Sequence, residues 1–342
     1  MIDVGDDGYV ANVVSDIHGC KAYISIAERR DAALSLDTWE VPTGLTLLVD
    51  SASLIYRALF SVPDTLRAPD GTLVNAAYGF LGMLEGLIRE HDPDFIACAA
   101  DDDWRPEWRV ELIDSYKAHR AESGSAQEQA EDLLAPQLPV ILEILEGLGI
   151  TVVGHPGAEA EDVIGTLAER APGPVGIVSG DRDLFQLVRD PDIYVLYPRR
   201  GVSQVDVVNE AYIEQKYKIP GRAYRDFATL RGDPSDGLPG VKGVGEKLAA
   251  TLVGRYGSLD GIIAAIEAGE ESVALNRVRR DLDYVRRAIK VVTIPTDLPI
   301  PEVQIVRPRQ RPGEEVFELA DRYGLGGATR RLVAVLTGQI QS

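Results

Sequence analysis

Cysteine is nearly absent from this sequence: Cys20 and Cys98 are the only two in 342 residues. That excludes a disulfide framework, and with no CxxC pair it excludes a cysteine zinc knuckle. No apolar run reaches the roughly 18 residues that a membrane helix requires. The N-terminus, MIDVGDDGYV, is acidic and lacks the basic-then-apolar order of a secretory leader. A reduced, cytoplasmic protein without membrane attachment is expected. Positive charge is also scarce, with 35 Lys and Arg against 54 Asp and Glu, a formal charge of −19. Taken alone, that balance speaks against a nucleic-acid partner, because phosphate binding needs a basic surface.

Two features soften the objection. Acids that bind divalent cations no longer act as free negative charge. The basic residues are also unevenly placed. Between Arg222 and Arg255 six basic residues face four acidic ones, two of which, Asp233 and Asp236, are themselves candidate metal ligands. A second basic run, NRVRRDLDYVRRAIK, follows at 276–290, where a solvated face and a DNA contact are equally open readings.

The hydrophobic pattern carries the fold. Residues 1–43 show weak periodicity and read as an N-terminal extension of unknown role. GLTLLVD, DFIACAAD, ITVVGHP, PVGIVSGD and DIYVLYP read as buried strands, and three of them end in Asp. Between them lie helical patterns: SASLIYRALF, with Ser51 or Ser53 as its cap, roughly Val74 to Glu90, Pro136 to Leu148, and Ala160 to Arg170. Residues 104–135 are polar and read as a mobile, partly helical excursion. The alternation predicts an α/β layer fold with a mostly parallel sheet over 44–205, followed by a mainly helical region over 206–342.

In such sheets, ligands bind beyond the carboxyl ends of the strands. Asp50, Asp101 and Asp181 stand at those ends, so three acids distant in sequence converge. Around them the chain offers Asp102; Glu159, Glu161 and Asp162 in HPGAEAEDV; Asp183; and Asp233 and Asp236 in RGDPSDGLPG. Each acid taken singly has a plainer reading as a helix cap or turn residue. As a set they repel one another unless cations are present. Oxygen donors suit Mg²⁺ or Mn²⁺, and paired ions suit phosphodiester hydrolysis. Tyr56 and Arg57, near the first strand tip, are candidates for stacking on a base or contacting a phosphate, or for simple helix packing.

GLPGVKGVGEKLAATL adds a Gly-rich turn before an apolar helix, in which Gly243 and Gly245 permit close backbone approach and Lys242 and Lys247 supply charge. The plain alternative is a Gly-rich helix hairpin with no ligand. His91, His119 and His155 are too dispersed to form a metal cluster.

Together, LLVDSASLIYRALF, YKAHR, PGAEAEDVIGTLA, SGDRDLFQLV and LRGDPSDGLPGVKGVGEKLAATLVGRYGSLD resemble the 5′-nuclease family of flap endonucleases and 5′→3′ exonucleases, which includes the N-terminal domain of bacterial DNA polymerase I. The likeness runs collinearly from about residue 44 to about 290, and the chain looks like a stand-alone member. The resemblance implies a PIN-like fold, a two-metal site and cleavage of flap, gapped or nicked DNA, with removal of RNA primers and a role in replication and repair. It places the acidic ligands at Asp50, the Asp101/Asp102 position, Glu159, Glu161, Asp162, Asp181, Asp183, Asp233 and Asp236. It makes Lys117 and Arg120 the pair that reaches the scissile phosphate, and Lys242 and Lys247 the phosphate contacts of a helix–turn–helix element. Carbonyls near Val241 and Val244 would hold K⁺.

Two departures stand out. Glu161 is commonly Asp in the family. The excursion after Arg120 has no basic residue before Pro136, which implies a short or mobile threading arch. A PIN-type ribonuclease and a non-catalytic junction-binding protein are the rival readings. The partner expected is branched DNA or an RNA–DNA hybrid, bound by a monomer.

Overall fold

The computed structural model describes residues 43–199, 202 and 204–339. The expected N-terminal extension therefore lies outside the described residues, apart from Thr43. Six strands form one sheet: β1 (Thr46–Asp50), β2 (Phe95–Ala99), β3 (Thr151–Val153), β4 (Val175–Val178), β5 (Ile193–Pro198) and β6 (Val205–Val208), in the order β3-β2-β1-β4-β5-β6. The first five are parallel, and β6 runs antiparallel to β5 along an edge. The sequence reading missed β6, and the division it placed at 205/206 falls inside this strand.

Side chains alternate across the sheet with the period of two that strands impose. Leu48, Ala97, Ile177 and Val195 join one core, while Leu47, Val49, Ile96, Cys98 and Leu196 join the other. Both faces are buried, as a parallel sheet requires. Helices α1 (Ser51–Ser61), α2 (Asn75–His91), α3 (Glu107–Leu112), α4 (Ala126–Leu134), α5 (Leu138–Leu148) and α6 (Ala160–Arg170) interleave with the strands. Helices α7 (Glu210–Tyr217), α8 (Tyr224–Arg231), α9 (Glu246–Tyr256), α10 (Leu259–Glu267), α11 (Val273–Arg280) and α12 (Leu282–Val292) extend the core on the α6 side.

The last two helices behave differently. Both α13 (Glu314–Arg322) and α14 (Gly326–Leu336) return to the opposite face, where α13 packs on α5 and α14 on α2. Phe317, Leu332 and Leu336 complete the core there. Buried Arg307 stitches this return. It donates to the Leu336 carbonyl at 3.1 Å, the Val335 carbonyl at 2.6 Å and the Pro93 carbonyl at 3.0 Å. Those are the end of α14 and the turn before β2.

Two local expectations change. The cap of α1 is Asp50, whose Oδ1 accepts from Ser53 N at 3.0 Å, so Ser51 and Ser53 lie inside the helix. The polar excursion is also packed more firmly than expected: Ala130 and Leu134 of α4 are buried. Among the described residues, no helix is long and apolar enough to cross a membrane.

Candidate active site

Asp50 ends β1 and caps α1, so two elements fix it. Its Oδ1 faces the helix amide, and its Oδ2 accepts from Ser179 Oγ at 2.6 Å. Burial raises its pKa. Asp101 follows β2 and sits on the N-terminus of α6, where its Oδ1 accepts from Ala160 N at 2.6 Å. Its Oδ2 is buried with no partner among the described residues. Burial, then the neighbouring Asp50, pushes the Asp101 carboxyl up to about 8. Asp102 is half-buried, and its backbone amide points to Ala158 O. The structure therefore brings Asp101, rather than Asp102, into the group with Asp50.

Glu159 caps α6 in a reciprocal box with Asp162. Its Oε1 accepts from Arg109 Nη1 at 2.7 Å and from the Tyr116 hydroxyl at 2.7 Å, while its Oε2 pairs with Lys117 Nζ. Asp162 is held by Arg109 through both oxygens, at 2.6 and 3.1 Å. Its first role is thus to anchor a fork and a helix end, which is the plainer of the two sequence readings. Glu161 lies 3.5 Å from the Arg109 guanidinium. Burial and then Glu159 raise its pKa well above the carboxylate range.

The second group lies beyond β4 and in the loop after α8. Burial, then Asp236, pushes Asp181 up to about 7, and its Oδ1 accepts from Asp183 N at 2.7 Å. Asp183 rises well above its ordinary value through burial, then Asp181, Asp236 and Asp233. Asp233 holds its own turn by accepting from Ser235 N at 2.9 Å and lies 3.3 Å from Arg231. Asp236 is held low: burial pushes upward, but Lys117 and Arg120 overcome it.

Lys117 and Arg120, the pair expected to reach the scissile phosphate, lie among the acids: Lys117 precedes a 3-10 turn at Ala118–Arg120 that Arg120 ends, and Lys117 adopts a left-handed φ of 47° that a helix excludes. Both are buried. Arg120 donates to Asp236 Oδ1 and to the Ser235 carbonyl, both at 2.8 Å. The two backbones are docked as well: Lys117 N donates to Asp236 O at 2.9 Å, and Ser115 Oγ donates to Gly237 O at 2.7 Å. Gly237 has φ +69°, and a Cβ there would run into the Ser115 carbonyl.

Arg109 went unnoticed in the sequence. It is fully buried, and besides its three acids it donates through Nε to the Val291 carbonyl at 3.2 Å. It sits in a polar run, and its partners are about 50 and 180 positions away, so no local pattern announces it. The one local signal was its place seven positions ahead of Tyr116 in YKAHR.

The donor set consists of oxygens, carries repelling charges and leaves Asp101 Oδ2 unsatisfied. That fits hard divalent cations. Among the described residues, no three Asp, Glu, His or Cys side chains form a ready-made cage. Arg109, Lys117 and Arg120 hold carboxylate oxygens of Glu159, Asp162 and Asp236.

The Gly-rich element lies between α8 and α9. Lys242, Gly243, Gly245 and Lys247 are exposed, and Val241 and Val244 are buried. Gly245 caps α9 without a side chain, so the first amides of α9 lack a side-chain cap. The Val241 carbonyl accepts from Val244 N at 2.8 Å. The loop is braced from α11: Arg277 donates to Gly243 O at 2.6 Å and Arg280 to Lys242 O at 2.9 Å. Arg279 and Arg287 also donate to backbone carbonyls. Much of the 276–290 run thus ties loops together, a use that neither sequence reading anticipated. Arg57 is half-buried on α1, its Nε without a partner among the described residues, and burial lowers its pKa. Tyr56 packs against Phe60, with ring centroids 4.8 Å apart.

Comparison with known proteins agrees with this layout. Residues 45–218 match the 5′-3′ exonuclease N-terminal resolvase-like domain, and residues 219–311 match the 5′-3′ exonuclease C-terminal SAM fold. The chain is 47% identical over 300 residues to a 5′-3′ exonuclease of Streptomyces coelicolor, covering 85% of this chain and 100% of that one. It is 42% identical over 311 residues to a 5′-3′ exonuclease of Mycobacterium tuberculosis, covering 85% and 97% respectively. Its fold is similar to that of the T5 D15 flap endonuclease, solved in a pseudo-enzyme–product complex with DNA and metal ions. The TM-score is 0.60 and the identity 15%, with 85% of this chain and 99% of that one covered.

Proposed function

The chain belongs to the 5′-3′ exonuclease family, and from that premise we propose that it hydrolyses phosphodiesters at single-strand/duplex junctions in flap, gapped or nicked DNA, using two divalent cations. The observation that carries this reading is the division of the acids into two mutually repelling groups with Lys117 between them. Lys117 pairs through its ammonium with Glu159 of the first group, and its backbone amide is fastened to Asp236 of the second.

In this reading Asp50, Asp101, Glu159 and Glu161 hold one ion, and Asp181, Asp183, Asp233 and Asp236 hold the other. Asp162 serves through Arg109. Mg²⁺ or Mn²⁺ bound there would supply an activated water and charge neutralisation at the phosphate. Lys117 and Arg120 offset the charge that builds in the transition state. Lys242, Lys247 and the α9 N-terminus grip duplex phosphates without reading sequence. A K⁺ ion at the Val241 and Val244 carbonyls belongs to the same duplex-gripping element. The same reading includes action as a monomer in replication and repair, with removal of RNA primers from hybrids.

The test is direct. Labelled flap DNA and single-stranded RNA are incubated with Mg²⁺, Mn²⁺ or EDTA. Cleavage of the flap near its junction, dependent on metal, is expected. Cleavage of RNA alone would favour a PIN-type ribonuclease, and binding without cleavage a junction-binding protein.

A further inference from the structure

We propose that Glu159 Oε2 is a seat shared in turn by Lys117 and a divalent cation, with Tyr116 and Arg109 as the positioning residues that hold it ready. The proposal rests on the two-cation reading above and adds which atom of Glu159 the ammonium and an ion share.

The two oxygens of Glu159 are treated differently. Oε1 is fixed twice, by the Tyr116 hydroxyl and by Arg109 Nη1, both at 2.7 Å. Oε2 pairs with the Lys117 ammonium. The carboxylate plane is therefore set by Oε1, and Oε2 is free to exchange one cation for another without rotating. The supports are rigid: Arg109 and Tyr116 are fully buried, and Arg109 is tied further to Asp162 and Val291.

Lys117 is built to let go without moving its backbone. Its amide is fastened to Asp236 O, and the neighbouring Ser115 is fastened to Gly237 O. The ammonium ends a flexible four-carbon stem, so it can leave Glu159 while its backbone stays docked. Arg120 stands on Asp236 in the same manner. Entry of a divalent ion at Oε2 displaces the ammonium by like-charge repulsion and by competition for one oxygen. The released ammonium is then free to meet a substrate phosphate. Loading the ions and arming the basic residue become one event.

Two substitutions on one carboxylate should then act in opposite directions. Lys117→Gln removes the competitor, and Mn²⁺ affinity, measured without DNA by calorimetry, should rise about tenfold, the effect of one unit charge a few ångströms away in a polar site. Tyr116→Phe removes the clamp on Oε1 with almost no change of volume, and Mn²⁺ affinity should fall severalfold. A merely structural role for either residue would move both affinities the same way or not at all, and that result would overturn the proposal. Asp181→Asn separates the two levels. If it leaves Mn²⁺ binding untouched, the two-cation reading itself fails. If it weakens binding while Lys117→Gln does not tighten it, only the shared seat fails.

Discussion

Replacing Gly237 by alanine tests whether the acid loop and the basic segment are one unit. Two costs arise. The residue occupies φ +69°, where an L side chain costs roughly 1–2 kcal/mol. The new Cβ would also overlap the Ser115 carbonyl and stand 3.3 Å from Lys117 N. Relieving the overlap pulls apart the Ser115–Gly237 bond of 2.7 Å and the Lys117–Asp236 backbone bond of 2.9 Å. At about 1 kcal/mol each, these raise the total to about 3–4 kcal/mol. Gly269 supplies the control, since its φ is +82° but nothing lies within 4 Å of an added Cβ. Gly269→Ala should cost only the conformational part. In urea unfolding the two variants should therefore differ by about 2 kcal/mol. Lys117 and Asp236 also move apart in Gly237→Ala, so its single-turnover cleavage rate should fall by about 10² at unchanged duplex affinity, the scale of a misplacement near 1 Å. Equal stabilities for the two alanine variants, or a full cleavage rate in Gly237→Ala, would refute the docked-unit reasoning.

Two other outcomes follow from the geometry. Lys242→Ala combined with Lys247→Ala should weaken duplex binding and lower the slope of log affinity against log salt by about two units, because both exposed lysines would each lose one phosphate; an unchanged slope would remove this loop from the DNA interface. Arg307→Ala leaves three backbone carbonyls without their donor and should cost about 2–4 kcal/mol in urea unfolding at an unaltered cleavage rate per folded molecule. A loss below about 0.5 kcal/mol would show that the return of the C-terminal helices needs no stitch.

Much of the layout was legible because periodicity is local. The buried runs before Asp50 and Asp181 and the helix at Ala160–Arg170 follow from side-chain alternation within a few residues. Positions of acids at strand ends come with that pattern. What escaped depends on partners distant in the chain. The edge strand β6 is short, half-buried over three of its four residues, and defined by pairing with β5. The 3-10 turn at Ala118–Arg120 is imposed by the loop at 233–237, against a local spacing that suits a helix. Arg109 acquires its role from Glu159 and Asp162, about 50 positions away. That Asp101 neighbours Asp50 shows only across the sheet.

The return of α13 and α14 has a consequence for the time at which the molecule is made. The face of the sheet next to α2 and α5 receives its last cover from residues 314–336, which stand more than 200 positions after β2 in the chain. As a polypeptide emerges in order from the ribosome, the sides of α2 and α5 that α13 and α14 cover stay open to solvent after the acids, the basic segment and the Gly-rich loop have been made. Closure waits for α14. Non-local contacts of this length are slow to form and leave apolar surface uncovered meanwhile. Synthesis and maturation are thereby separated: the nuclease half can gather its charges early, but its second core closes only when the final helix docks.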